Sequence, residues 1–221
     1  MMEKFLERKK RGKKIYATLS KIFPKAQIAL HYNTNVELLI AVILSAQCTD
    51  KIVNKVTEKL FKKYKTLDDY VNASPKEFEK DIKSTGFYKN KTKNILGAAK
   101  KIKSEFKGKV PRSMEELLTI PGVARKTANV VLSNAFGIHE GIAVDTHVKR
   151  FVQKFNLSDY KDPVRIEKDL IKLFPKKKWN KVTYFFIEYG RAICPARYHD
   201  CKSHPLTKIY PKAALIWPKA K

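Results

Sequence analysis

Helix-breaking residues recur along this 221-residue chain at intervals of about ten to twenty residues, and this spacing constrains the fold more than any other feature. Between the breaks, apolar residues follow a helical period and period-two alternation is rare. Ser74 with Glu77 and Ser113 with Glu116 predict capping boxes at two helix starts. The sequence therefore predicts an all-α protein, with helices near residues 3–22, 35–46, 50–63, 66–72, 75–84, 88–105, 113–118, 124–136, 145–155, 163–173 and 178–192.

The pair Pro121-Gly122 predicts a tight turn between two of these helices. Ile120 and Val123 would anchor the turn from inside, leaving the backbone amides from Gly122 to Arg125 pointing outward at a helix N-terminus. Such an N-terminus binds anions well, and a DNA phosphate is an anion that fits. On the turn alone, a simple connection between helices explains the pair equally well.

The chain carries 47 Lys and Arg against 21 Asp and Glu, a net charge of +26. An excess of this size favours a polyanionic partner, and nucleic acid is the first candidate. Individual basic clusters, such as residues 9–11 and 176–178, could also be solvated faces.

No segment of the sequence is typical of a membrane span. The longest apolar run, residues 38–44, is far shorter than the roughly 20 residues that a bilayer needs, and it predicts a buried helix. The N-terminus lacks the apolar stretch of a secretory signal. We therefore expect an intracellular protein, in the cytoplasm or nucleoid if the source is prokaryotic.

Several separated motifs carry a family resemblance. The hairpin reads Leu-Thr-Ile-Pro-Gly-Val-Ala-Arg-Lys-Thr-Ala over residues 118–128, and Ala-Val-Asp-Thr-His follows at residues 143–147. Further motifs lie at residues 45–50, 85–88 and 189–191. In this order they resemble the endonuclease III family of helix-hairpin-helix DNA glycosylases. The chain departs from the family pattern at Ala124, which replaces the second glycine of the hairpin, and in a broken four-cysteine motif near the C-terminus.

The resemblance implies a fold of two helical lobes flanking a DNA-binding groove. One lobe is a six-helix barrel that contains the helix-hairpin-helix, expected over residues 28–138. The other is a discontinuous helical domain, residues 1–27 and 139–221, with a degenerate cluster loop. The implied partner is double-stranded DNA with a damaged base or an abasic site, bound by a monomer.

Lys126 and Asp145 are the catalytic residues that the resemblance implies. A lysine attacks the sugar carbon only as a neutral amine, a state that desolvation, nearby positive charge and a helix N-terminus favour. In the family, the lysine displaces the base and forms a Schiff base that leads to β-elimination, while the aspartate assists. Taken singly, Lys126 could be one more surface lysine, and Asp145 could cap the helix that begins at Thr146.

Two further residues are expected to fill the gap that an extruded base leaves. By resemblance these are Gln47, whose amide could bond to the orphaned base, and Phe87, whose ring could stack between bases. A capping or loop-tying role for Gln47 and burial for Phe87 are the structural alternatives. The expected contacts of the hairpin with DNA come from Gly122, Ala124, Arg125 and Thr127.

The C-terminal loop aligns with the family's four cysteines, which hold a four-iron cluster. Here the four positions are Cys194, Cys201, His204 and Tyr210. Two thiols are too few for that cluster, and a zinc site at the first three positions lacks an obvious fourth ligand. We therefore expect no metal and no cofactor. With three cysteines in all, a disulfide framework is not expected either.

The tail after Tyr210 contains apolar residues that could replace the cluster. Leu215, Ile216 and Trp217 are expected to dock where the cluster would lie. A frayed terminus is the alternative.

Together these features predict a base-excision-repair glycosylase with abasic-site lyase activity, acting on oxidised pyrimidines. A non-catalytic DNA-binding protein would use only the hairpin and the basic surface. A monofunctional mismatch glycosylase is the other alternative, but such relatives lack the lysine that Lys126 supplies.

Overall fold

The structure is a computed structural model that describes residues 2–197 and 199–216. These residues form α-helices, three short 3₁₀ turns and loops, with no strand in the ranges described. The prediction of an all-α protein is confirmed, and every predicted helix is present with its ends within two residues. The helices are α1 (Met2–Ile22), α2 (Asn35–Leu44), α3 (Asp50–Lys63), α4 (Leu67–Val71), α5 (Pro75–Ile82), α6 (Tyr88–Glu105), α7 (Met114–Leu118), α8 (Arg125–Phe136), α9 (Thr146–Lys154), α10 (Pro163–Leu173) and α11 (Trp179–Ala192).

The chain divides into two compact units, residues 29–140 and residues 1–28 with 141–221. In the first, α2 is the central helix: residues 38–44 are all buried, as the apolar run predicts. Helices α3, α6 and α8 pack around it, and α4 and α5 pack on α6. An apolar surface on all sides suits a helix enclosed by its neighbours.

The second unit is built on aromatic side chains. Helices α1 and α9 each pack against α10 and α11. Phe151 of α9 stacks on Phe186 of α11 with ring centroids 3.9 Å apart, and Tyr189 meets Phe151 edge-on at 5.4 Å. Cys194 and Cys201 belong to the same buried cluster. The loop after α11 is therefore part of this core.

Of the two predicted capping positions, one is confirmed as an N-cap and the other is not. Ser74 makes no side-chain cap bond, and Pro75 at the first helical position starts α5 instead. Ser113 accepts a bond from the amide of Glu116 as predicted, at 3.2 Å. Complete capping boxes start α2 and α4, from Thr34 and Thr66.

The predicted docking of the C-terminal tail is wrong for two of its three residues. Pro211–Leu215 form a 3₁₀ turn that places Ala213 in the core, fully buried. Leu215 is 82% exposed and Ile216 is 38% exposed. Trp217 lies outside the described residues. The tight turn points a small side chain inward, so the larger apolar residues beyond it face solvent.

Among the described residues, no helix is both long enough and apolar enough to cross a bilayer.

Candidate active site

The turn at residues 121 and 122 lies between α7 and α8, and its backbone requires a glycine. Gly122 has φ +79°, in the left-handed region. A Cβ there would lie 2.9 Å from the Cβ of Asn94 on α6, closer than side-chain atoms approach. Ile120 and Val123 are both buried, as the sequence predicts. The hairpin is thus anchored from inside and held against α6.

Ala124 occupies the N-cap of α8 in a conformation that any residue adopts. Its φ of −96° and ψ of 171° are extended, so the backbone here does not need the glycine that the family has. The alanine makes no side-chain cap bond. Since the first N–H groups of a helix have no partner within it, the exposed N-terminus of α8 keeps the character of an anion site.

Lys126 is the second residue of α8, in the turn that directly follows the hairpin. Its side chain is exposed, as are Arg125 and Ala124 before it, while Thr127 is half-buried. A bulky substrate can therefore reach the amine without any rearrangement of the hairpin.

Asp145 is half-buried and caps α9. Its Oδ1 accepts a hydrogen bond of 2.8 Å from the amide of Val148. The cap that the sequence offers as an alternative role is therefore present. A cap also orients the carboxylate, so it does not preclude catalysis. Lys126 and Asp145 belong to different units of the fold.

Gln47 and Phe87 share an uncommon conformation. Both have left-handed backbones, with φ of 53° and 48°, and both side chains are exposed. Phe87 is 62% exposed, so the alternative that it is buried is wrong. A left-handed aromatic residue with its ring in solvent gains little for the fold, and such residues cluster at functional sites.

Sequence reasoning missed Lys91, which connects the segments before Gln47 and Phe87. Its Nζ donates hydrogen bonds of 2.7 Å to the Leu44 carbonyl and 2.8 Å to the Thr85 carbonyl. Lys91 is only 4% exposed, and burial lowers the pKa of its amine. The last carbonyl of α2 and the turn before Phe87 are therefore tied to one buried cation on α6.

A signal for Lys91 was present in the sequence. It precedes Ile95, Ala98 and Ile102 at helical spacing, on the face that α6 buries. A lysine at such a position is rarely buried without a partner.

The C-terminal loop does not fit a four-iron cluster. Of the four aligned positions, only Cys194 and Cys201 are thiols, and Cys48 lies in the other unit. Tyr210 instead places its ring 4.3 Å from the guanidinium carbon of Arg11. The Tyr210 oxygen is a poor replacement for a thiolate ligand, and its ring is already engaged by Arg11.

The structure corrects the ligand count for this loop. His199 joins Cys194, Cys201 and His204, and the donor atoms of all four lie within 4.8 Å of one another. The sequence reasoning considered only positions aligned with the family's cysteines, so it passed over His199. A second histidine between two cysteines was the available signal.

Helix α9 ties Asp145 to this loop. Arg150 donates hydrogen bonds to the carbonyls of Gly190, at 3.1 Å, and Cys194, at 2.9 Å. A Cβ at Gly190 would lie 2.9 Å from the same guanidinium, so a side chain there would displace the end of Arg150. At the end of α9, Lys154 donates to the Cys201 sulfur at 2.9 Å. The helix that Asp145 caps is thus held by the C-terminal loop.

Comparison with known proteins agrees with these features. Residues 40–176 match the HhH-GPD superfamily of base excision DNA repair proteins. Endonuclease III of Synechocystis sp. is 50% identical over 213 residues, covering 96% of this chain and 97% of that protein. The chain belongs to the endonuclease III family. It is a bifunctional DNA glycosylase and abasic-site lyase of base excision repair.

Two solved structures extend the similarity to three dimensions. One is a non-covalent endonuclease III–DNA complex, and the other is a trapped endonuclease III–DNA covalent intermediate. Each matches this endonuclease III family member with a TM-score of 0.88 at 42% identity, over 93% of this chain and 96% of its own. The helix-hairpin-helix glycosylase fold is confirmed.

Proposed function

We propose that this glycosylase and lyase acts on double-stranded DNA with Lys126 as its nucleophile and Asp145 as the assisting carboxylate. The observation that carries the proposal is the exposed position of Lys126 in the first turn of α8, directly after the hairpin. A similar endonuclease III has been trapped as a covalent intermediate with DNA. A covalent intermediate requires a nucleophile, and a lysine beside a phosphate site is suited to that role.

The amine of Lys126 is the only covalent group that the reaction needs. The neutral Nζ attacks the sugar carbon that bears the damaged base, and the bond to the base breaks with its electrons leaving on the base, which then takes up a proton. Loss of a proton from Nζ and opening of the sugar give a Schiff base. Its iminium withdraws electrons, so a proton leaves the neighbouring carbon and the 3′ phosphate departs by β-elimination. Water then hydrolyses the imine and frees Lys126.

Asp145 would serve this reaction as a fixed negative charge and proton acceptor. Its carboxylate is oriented by the Val148 amide, so it does not have to reorganise as positive charge develops on the sugar. Capping and catalysis use the same placement of the side chain.

Extrusion of the base would be supported by Gln47 and Phe87. Their exposed, left-handed positions suit residues that enter the duplex, with the amide of Gln47 bonding to the orphaned base and the ring of Phe87 stacking beside it. The hairpin residues Gly122, Ala124, Arg125 and Thr127 would hold the backbone phosphate through amides and charge.

The family resemblance favours oxidised pyrimidines as the damaged bases. We also propose that the protein is intracellular. DNA is the partner that the +26 charge also favours.

Borohydride trapping on an abasic duplex tests the nucleophile. The wild-type protein should form a covalent adduct, whereas Lys126→Ala should form none and still bind the duplex. Lys59→Ala removes another exposed lysine, on α3, and should trap like the wild type. Undiminished trapping by Lys126→Ala would remove Lys126 from this role, and absence of an adduct with the wild type would favour a non-catalytic binder or a monofunctional enzyme.

A further inference from the structure

Four metal-binding side chains converge in the loop after α11. The donor atoms of Cys194, His199, Cys201 and His204 all lie within 4.8 Å of one another. In a tetrahedral zinc site, bonds of about 2.3 Å to sulfur and about 2.0–2.1 Å to nitrogen put neighbouring ligand atoms roughly 3.3–3.8 Å apart. Each separation therefore has to close by no more than about 1.5 Å for one ion to be bound by all four.

The ring of His199 is held in the tautomer that a metal requires. Its Nδ1 lies 2.8 Å from the carbonyl oxygen of Arg197. Because a carbonyl only accepts hydrogen bonds, Nδ1 is the donor, and in the neutral form of the ring Nε2 then carries the lone pair. That Nε2 lies 3.4 Å from the sulfur of Cys201. A backbone carbonyl on the outer nitrogen is the usual support of a metal-binding histidine.

The second imidazole of the cluster, that of His204, has a buried nitrogen without a hydrogen-bond partner among the described residues. The residue is 8% exposed, and its Nδ1 is buried with no hydrogen-bond partner among the residues described. Its ring stacks on that of His199, with centroids 4.9 Å apart. Buried polar atoms almost always have partners, and leaving one without a partner is costly. A cation at this cluster would give Nδ1 a partner that the described residues do not supply.

The charges of the cluster suit a divalent ion in a buried place. Cys194 and Cys201 are 4% and 2% exposed. A bound zinc ion displaces thiol protons, and two thiolates with two neutral imidazoles cancel its charge. Lys154, at 2.9 Å from the Cys201 sulfur, provides the hydrogen bond that a thiolate ligand accepts.

We propose that Cys194, His199, Cys201 and His204 bind a structural zinc ion in the loop where the family's cluster motif is broken. Two sulfurs and two nitrogens are a set that zinc binds tetrahedrally, and four protein ligands leave no open position for catalysis. The ion would cross-link the two ends of this loop, and α9 supports the ligands from outside, since Arg150 bonds to the Cys194 carbonyl and Lys154 to the Cys201 sulfur.

Elemental analysis of the full-length protein, purified under reducing conditions with zinc present, tests the proposal without any activity assay. We expect one zinc per chain and no stoichiometric iron. Cobalt added to the metal-free protein should give the visible absorption of tetrahedral cobalt with thiolate ligands. Chelation should lower the Tm on the order of 5–10 °C from its value with zinc at about 100 times Kd.

His199→Gln is the diagnostic variant, because it removes the ligand that distinguishes this site from the aligned cysteine positions and its ring is only half-buried. We expect at least about a tenfold loss of zinc affinity and an altered cobalt spectrum. His31→Gln and Cys48→Ser, a histidine and a cysteine outside the cluster, should bind zinc like the wild type.

The proposal is overturned if the wild type binds no zinc, if it contains a Cys194–Cys201 disulfide after reducing purification, or if His199→Gln binds zinc as tightly as the wild type. The zinc content of the wild-type protein tests the proposal by itself, even if a variant fails to fold.

Discussion

Replacing Lys91 by Met should destabilise the unit of residues 29–140 and disorganise both segments that are expected to enter DNA. Methionine keeps the length of the aliphatic stem but removes the amine that bonds to the carbonyls of Leu44 and Thr85. Each buried acceptor that loses its partner costs about 1–3 kcal/mol, so the two carbonyls together lose about 2–6 kcal/mol. The variant also no longer buries an amine, which offsets part of this cost. We therefore expect the free energy of unfolding to fall by about 2–4 kcal/mol.

For a chain of this size, such a loss corresponds to a fall in Tm of roughly 5–15 °C, measurable by circular dichroism. Well below that Tm, single-turnover excision should slow more than duplex affinity falls, because Gln47 and Phe87 are used only once the base is extruded. Lys100→Met, at an exposed position of the same helix, should match the wild type in both assays. A Lys91→Met protein whose Tm and excision rate equal those of the wild type would refute the role of this buried cation.

Three further outcomes are expected. Ala124→Gly should change duplex affinity less than about twofold in a binding titration, because the extended backbone at Ala124 already tolerates a side chain; a large gain would show that the methyl group impairs the hairpin. Asp145→Asn keeps a side chain that caps helices but removes the charge, so excision should slow by about 100-fold or more with little change in duplex binding. Asp162→Asn, at the N-cap of α10, is the matched control. Equal losses of excision and binding in Asp145→Asn would indicate that Asp145 only caps α9. Hydrogen bonds from Arg8 and Lys4 lower the pKa of Asp159 to about 2, below its unfolded value, so this carboxylate stabilises the fold above about pH 4 and loses its effect as the pH falls towards 2. Because the side chain is 55% exposed, Asp159→Asn should cost only about 0.5–1 kcal/mol in urea unfolding at pH 7, and a difference from the wild type that persists undiminished at pH 2 would contradict this account.

The helices and the hairpin were predictable because their signals are local. Helical periodicity between Pro, Gly and polar breaks places each helix to within two residues. Gly122 follows the same logic, since a Pro-Gly pair between two helices requires a turn. The capping bonds were less predictable than the helices. Ser74 is followed by Glu77 at the spacing of a capping box but makes no cap bond, whereas Thr34 forms a complete capping box.

The tail shows why local reasoning fails where packing decides. Apolar character alone predicted that Leu215 and Ile216 would be buried, but the core accepts Ala213 instead. Which face of a short turn is covered depends on the space that distant residues leave, and the amino acids of the turn do not contain that information.

The fold class, the positions of the helices, the hairpin and the family follow from the sequence, because each depends on residues close together along the chain or on motifs in a defined order. The folded chain was needed to show that Lys91 bonds to the carbonyls of two separate segments and that the donor atoms of His199 and three other side chains lie close enough to bind one metal ion. The Lys91 contacts span 47 and 6 positions of the chain. Hydrogen bonds and ligand geometries act over a few ångströms in space, so the sequence can suggest the residue types but only the folded chain shows which atoms lie within reach of one another.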